Sequence, residues 1–275
     1  MVLGGVSPGL VEVVTGAPFG AQVEETGVPY FDPPGWEPDR GLDVAIGLLG
    51  WECERTEGGA RDDALERLRR ACEAGPVVVG PIEMGLFTHQ PWSRGVADGT
   101  DHWVVVLEVT DEVVVMHDPE GYPYVTLPIS QFMTAWSAEK VAVAGPYVMR
   151  SNFRKLRDVR VEDAVRESLP YAVEWLSKDS AAAVHRISAM LAGGIDEGMR
   201  EHLAGFAVRL GARRLDDAAT WLAVVGEPAA AEIARQQAMI LGRLQFPIVQ
   251  REFTRAAEIM TELAPGYERL HDALK

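Results

Sequence analysis

Residues 101–121, DHWVVVLEVTDEVVVMHDPEG, contain two runs of apolar and β-branched residues parted by a short acidic turn. Strands joined that closely pair antiparallel, which sets the start of the first beside the end of the second. Alternating Val, Leu and Met account for the strands but not for the ionisable groups at those two ends, His102 and Asp118. An imidazole within hydrogen-bond reach of a carboxylate makes a base with its orienting partner.

The rest of the first 150 residues follows the same grammar. Turns rich in Gly and Pro, such as GVPYFDPPGWEPDRG, alternate with GPVVVGPI, YVTLPI and VAVAGPYVM, which read as strands. Helices are expected at 8–15, 39–49 and 62–75, the last with an acidic start and a closing Gly, and over ISQFMTAW after the strands. From about residue 158 the strand pattern stops. Amphipathic segments take over, including VEDAVRESLPYAVEWLS, DEGMREHLAGFAVRL, DDAATWLAVV, AAEIARQQAMILGRLQ and REFTRAAEIMTELAPGYERLHDAL. The expected fold is α+β with an antiparallel sheet over residues 1–152, followed by an all-α domain over 153–275.

With 275 residues and 47% hydrophobic content, the chain has material for one large core or two modest ones. Its formal net charge of −15 is unevenly placed. Residues 1–150 hold 9 Lys and Arg against 23 Asp and Glu, a balance of −14, and residues 151–275 hold 17 against 18, a balance of −1. Such a field repels a phosphate backbone, and no basic patch is interleaved with aromatics, so nucleic acid is not an expected partner. A cationic amine suits it better. The opening MVLGGVSPGL lacks a basic segment and a long apolar run, and no window of about 18 apolar residues occurs, so a cytoplasmic protein without membrane contact is expected. Cys53 and Cys72 stand 19 residues apart without CxxC spacing, so they read as reduced packing thiols, with neither disulfide nor zinc site. No metal or cofactor is expected.

Between residues 70 and 150 the order of elements becomes specific. A helix ending in Gly, the GPVVVG strand, a loop, DHWVVVLEV, a turn, VVVMHDPEG, then YVTLPIS and QFMTAW resembles the papain-like fold of the bacteriocin-processing double-glycine peptidases. It is more similar still to the N-terminal domain family of the butirosin-biosynthesis acyltransferase, in which a helical C-terminal domain follows. The resemblance covers roughly residues 1–150. It implies His102 as the base, Asp118 as the residue that orients it, and a nucleophile at the start of the first helix. That place holds Ser7 rather than Cys, followed by Pro8; neither Cys53 nor Cys72 lies in the matching segment, and only MVLGGV precedes Ser7, which leaves no counterpart of the upstream oxyanion Gln. A serine is far less ionised than a thiol, so thiol proteolysis is not what the departure suggests.

The segment PIEMGLFTHQPWSRG, 81–95, follows the GPVVVG strand and in the related domains lies beside the cleft. Glu83 is a candidate for binding a cationic amine, Gln90 for donating to an oxyanion, and Trp92 for walling the cleft. Asp101, beside His102, is a further substrate-binding candidate. His117 alternates to the opposite strand face from Asp118 and is assigned a structural role. In the helical part, Arg209, Arg213 and Arg214 offer the landing site by charge for an acidic carrier protein. Together these readings imply a bacterial tailoring enzyme of specialised metabolism that acts at a small-molecule amine, free or carrier-bound, by acyl transfer or by closure of a nitrogen ring. Two alternatives stay open: an inactive binding module that serves a partner enzyme, and a peptidase or amidase that uses Ser7 as nucleophile.

Overall fold

A computed structural model describes residues 2–141 and 145–275. In chain order the elements are α1 (Pro8–Thr15), β1 (Gln22–Val23), β2 (Pro29–Tyr30), α2 (Pro38–Leu48), β3 (Trp51–Thr56), α3 (Arg61–Ala74), β4 (Val77–Glu83), β5 (Asp101–Val109), β6 (Val113–Asp118), β7 (Tyr122–Pro128), α4 (Ile129–Trp136), β8 (Met149–Lys155), α5 (Val161–Leu176), α6 (Ser180–Gly193), α7 (Glu197–His202), α8 (Val208–Val224), α9 (Pro228–Val249), α10 (Phe253–Thr261) and α11 (Ala264–Leu274). They divide into a sheet unit, Met1–Gly5 with Gly50–Arg157, and a helical unit, Val6–Leu49 with Asp158–Lys275.

The sheet unit is α+β, built on six strands in the order β3-β8-β4-β5-β6-β7 with antiparallel neighbours throughout. Strict alternation in β5 and β6 sends His102, Val104 and Val106, and Val114, Met116 and Asp118, to the buried positions. The apolar members of that set join Ala64 and Leu68 of α3 and Phe132, Met133 and Trp136 of α4 in one core. Strand β3, WECERT, was not expected. It is an edge strand tied to β8 by Glu52–Arg154 and Glu54–Asn152, and edge strands carry charge where inner strands carry apolar side chains. Residues 142–144 of the VAVAGPYVM run lie outside the described residues, and β8 begins at Met149. The two ends of the unit meet, because the Gly50 carbonyl accepts from Leu156 N at 2.9 Å and from Arg157 N at 3.3 Å.

The helical unit places the boundary elsewhere than residue 152. Val13, Phe19, Ala21 and Phe31 are buried in the same apolar core as residues of α5 to α11, so α1 and the turns after it belong with the helices despite their Gly- and Pro-rich sequence. Ala21 N donates to Ser180 Oγ at 3.1 Å, a polar tie between the same two parts of the chain. The stretch DEGMREHLAGFAVRL runs through α7 and one π-helical turn, Leu203–Ala207, into α8, which also takes in DDAATWLAVV. The last expected segment is two helices, α10 and α11. Pro265 stands in the first turn of α11, where its missing N–H costs no helical bond. Among the described residues no helix is long and apolar enough to cross a membrane.

Candidate functional site

The register Val105↔His117 and Val106↔Met116 sets the start of β5 beside the end of β6, as the hairpin pattern requires. His102 and Asp118 then project from one face, and His102 Nε2 lies 2.9 Å from Asp118 Oδ1. Three further donors converge on the same carboxylate. Glu120 N reaches Oδ1 at 2.9 Å, while His89 Nε2 and Gln90 Nε2 reach Oδ2 at 2.8 and 2.7 Å. An ionised carboxylate only accepts, so the Nε2 of each ring carries the hydrogen that faces Asp118. Burial pushes the Asp118 carboxyl upward, but the hydrogen bonds from His102 and His89, the His102 charge and the Glu120 amide outweigh it and hold the group well below the usual carboxylate range.

Aromatic rings enclose the cluster. Phe87 meets His102 edge-on at 5.9 Å and lies tilted over His89 at 5.1 Å between centroids. Tyr122 meets His89 edge-on at 5.6 Å, and Trp92 leans on Tyr122 at 6.0 Å. Trp92, 55% exposed, donates its indole N–H to Gln90 Oε1 at 3.1 Å, so a hydrogen-bonded chain runs from a surface indole through Gln90 and Asp118 to His102. His89 Nδ1 is buried without a hydrogen-bond partner, a condition that costs about 1–3 kcal/mol.

The loop that brings His89 and Gln90 to Asp118 is held at its base. The buried Glu83 carboxylate accepts from Asp98 N at 3.0 Å and Gly99 N at 2.9 Å, and Ser93 Oγ donates to the Gly85 carbonyl at 2.7 Å. A Cβ on Gly85 would fall 2.1 Å from the Val96 carbonyl oxygen, so only glycine permits this closure.

The structure therefore gathers His102, Asp118, Gln90 and Trp92, and it adds His89, Phe87 and Tyr122, for which no role was expected. For His89 and Phe87 the signal in the sequence was the density of polar and aromatic residues in FTHQPW; Tyr122, at the start of the strand YPYVTLP, had none. Glu83 and Asp101 face each other in register one step along from Ile82↔His102, so they alternate to the other side of the sheet. Glu83 serves as the loop's anchor rather than as an amine site, and Gln90 spends its amide on Asp118 and Trp92 rather than on an oxyanion. His117 accepts from Tyr124 N at 3.1 Å and packs edge-on to the Tyr124 ring, a structural role. Among the described residues no three His, Cys, Asp or Glu side chains converge as metal ligands. Cys72 is a free thiol; burial, then the nearby Glu108, pushes it up to about 11, which makes it a poor nucleophile.

Ser7 belongs to the helical unit, where its Oγ accepts from Leu10 N at 3.2 Å as the N-cap of α1 ahead of Pro8. The arginines of α8 are matched internally. Glu12 receives both Arg213 and Arg214, and Arg214 also reaches Asp32 at 3.4 Å and lies 5.5 Å over the Trp36 ring. Arg209 Nε donates to the Gly205 carbonyl at 3.1 Å. The cluster projects less free charge than its sequence suggests.

Two comparisons relate the chain to known proteins. Residues 177–275 match the YobF C-terminal domain family. The uncharacterized protein YobF of Bacillus subtilis (strain 168) is 35% identical over 137 residues, which make up 50% of this chain and 44% of that protein. The chain thus spans less than half the length of that relative. The family match takes in α6 to α11 and leaves the His102–Asp118 cluster outside it.

Proposed function

We propose that the sheet unit is a papain-like domain without a nucleophilic thiol, and that it serves as a bacterial tailoring enzyme in which His102 deprotonates a substrate amine. The carrying observation is the 2.9 Å contact between His102 Nε2 and a carboxylate already fixed by three other donors. With its Nε2 hydrogen committed to Asp118, the neutral His102 ring keeps its lone pair on Nδ1, the atom that takes the proton. The amine nitrogen then attacks either an acyl carbon, expelling its leaving group, or an activated carbon of the same molecule, displacing the leaving group that carbon carries and closing a nitrogen ring. Neither route needs a covalent enzyme intermediate, in keeping with the serine at the place the resemblance gives to Cys. Trp92 and Tyr122 supply an aromatic wall at the exposed end of the cluster, of the kind that attracts a cationic or flat substrate. The acyl donor, free or carrier-bound, is part of this proposal.

The test is aminolysis of an acyl p-nitrophenyl ester by n-butylamine with the wild-type chain and its His102→Gln variant. A fall of about 10²- to 10⁴-fold in the enzymatic rate is expected; wild-type turnover in the variant would sink the reading. A second reading, a binding module without catalysis, draws on one observation: Gln90, the candidate oxyanion donor, has both ends of its amide engaged. Binding of an amine with no turnover of either ester or amine would favour that reading.

A further inference from the structure

We infer that His89, together with Gln90, is a positioning residue that clamps the Asp118 carboxylate so that its other oxygen fixes the tautomer of His102. The inference rests on the reading of His102 as the base. Nothing in a His–Asp pair alone stops the carboxylate from rotating about its own bond and presenting its oxygens in turn. Here Oδ2 is gripped by two donors at 2.8 and 2.7 Å, His89 Nε2 and Gln90 Nε2, and Oδ1 is left to His102 and the Glu120 amide at 2.9 Å each. The grip comes from one loop, whose base is anchored through Glu83, Gly85 and Ser93.

The two imidazoles are not equivalent. His89 Nδ1 is buried with no hydrogen-bond partner, and the side chain is 7% exposed beneath Phe87 and Tyr122. A proton on that atom would have no acceptor, so the ring serves the site as a donor through Nε2. The charged and titratable groups that face the rings are Asp118 from β6 and Tyr122 from β7, with Gln90 from the loop. Glu83 on β4 faces the other side and is spent on the Asp98 and Gly99 amides. His89 therefore acts on catalysis only through Asp118, by holding the hydrogen of His102 on Nε2 and its lone pair on Nδ1.

The test is the tautomer of His102, read from the ring ¹⁵N resonances of the full-length chain well above the ordinary histidine titration range. The wild type should show His102 as the Nε2–H tautomer. His89→Phe keeps an aromatic ring and removes the donor, and His102 should become a mixture of tautomers. His89→Gln restores an N–H and should restore the single form. Gln90→Leu should give a smaller change in the same direction. In aminolysis of the p-nitrophenyl ester, His89→Phe should lower kcat by about tenfold to a hundredfold with KM unchanged.

A His102 ring that keeps its tautomer in folded His89→Phe overturns the inference. Should that variant not fold, an unchanged tautomer in Gln90→Leu overturns it instead. The tautomer measurement needs no substrate, so it stands apart from the base reading: retained turnover in His102→Gln would remove that reading and leave the clamp to be judged by ¹⁵N alone.

Discussion

Each unit buries an aspartate in a polar network, and the two networks differ in how many donors point at the carboxylate. Asp118 receives four hydrogen bonds between 2.7 and 2.9 Å, and its carboxyl lies well below the usual range. Asp32 has one amide, Gln22 Nε2 at 2.6 Å, and one guanidinium, Arg214 at 3.4 Å. There burial wins over the Arg214 charge and the two hydrogen bonds, and the carboxyl is pushed upward. Burial is common to both. The directions differ with the donors that oppose it, four at 2.7–2.9 Å on Asp118 and two, one of them at 3.4 Å, on Asp32.

Breaking the stronger network should have the largest effect. Asp118→Ala would leave two imidazoles and the Gln90 amide without their acceptor in a buried site, and a loss of about 3–5 kcal/mol in urea denaturation is expected. A loss below about 1 kcal/mol would mean that water takes over the role of the carboxylate.

Next in size is a contrast in pH dependence. A carboxyl lowered in the folded state contributes stability that is present above its unfolded value and lost as pH falls through the folded one. The benefit that wild type holds over Asp118→Asn should therefore grow from acid to neutral pH. A carboxyl raised in the folded state gives the opposite slope, so Asp32→Asn should become more favourable relative to wild type as pH rises. Urea midpoints between about pH 3 and pH 7 would measure both. Equal slopes would dissolve the comparison.

The helical unit also tests the reverse operation, removal of polar atoms that have no partners. Gln237 is fully buried in α9 with both amide atoms unpaired, packed against the backbone at Gly266, and the nearby chain holds the Tyr267 hydroxyl in the same condition. Gln237→Leu should stabilise the protein by about 1–3 kcal/mol, because it removes unpaired polar atoms at similar volume. A destabilised variant would show that the amide has partners in solution, such as ordered water. The smallest expected effect is at Ser7: Ser7→Ala should cost about 1 kcal/mol through the lost cap and leave turnover unchanged. Abolished turnover in a folded Ser7→Ala protein would revive the serine nucleophile.

What was legible in the sequence followed from periodicity. The hairpin of β5 and β6 placed His102 beside Asp118 because period-2 alternation and a short turn bring those two strand ends together; the register shift between Val106 and Glu108 was not marked by that pattern. The four helices expected in the first 150 residues lie where expected within a residue or two. Three things were hidden. Strand β3 carries its charges as an edge strand does, so no apolar alternation marks it. Residues 6–49 share their turn-rich composition with the sheet region, and only the buried positions of Val13, Phe19 and Phe31 assign them to the helices. His89 lies in an irregular loop, where side-chain direction depends on tertiary anchors such as Glu83 and Gly85 rather than on any repeat.

The hydrogen bonds from Leu156 and Arg157 to Gly50 make residues 50–157 of the sheet unit a graftable cassette. The entry and exit points of this long segment are hydrogen-bonded neighbours, so those two ends can be joined head to tail by a few glycines. Circular permutation at this junction would carry every residue of the His102 cluster unchanged. The cluster can in this way be moved onto a carrier of choice and assayed away from the helices with which it shares a chain.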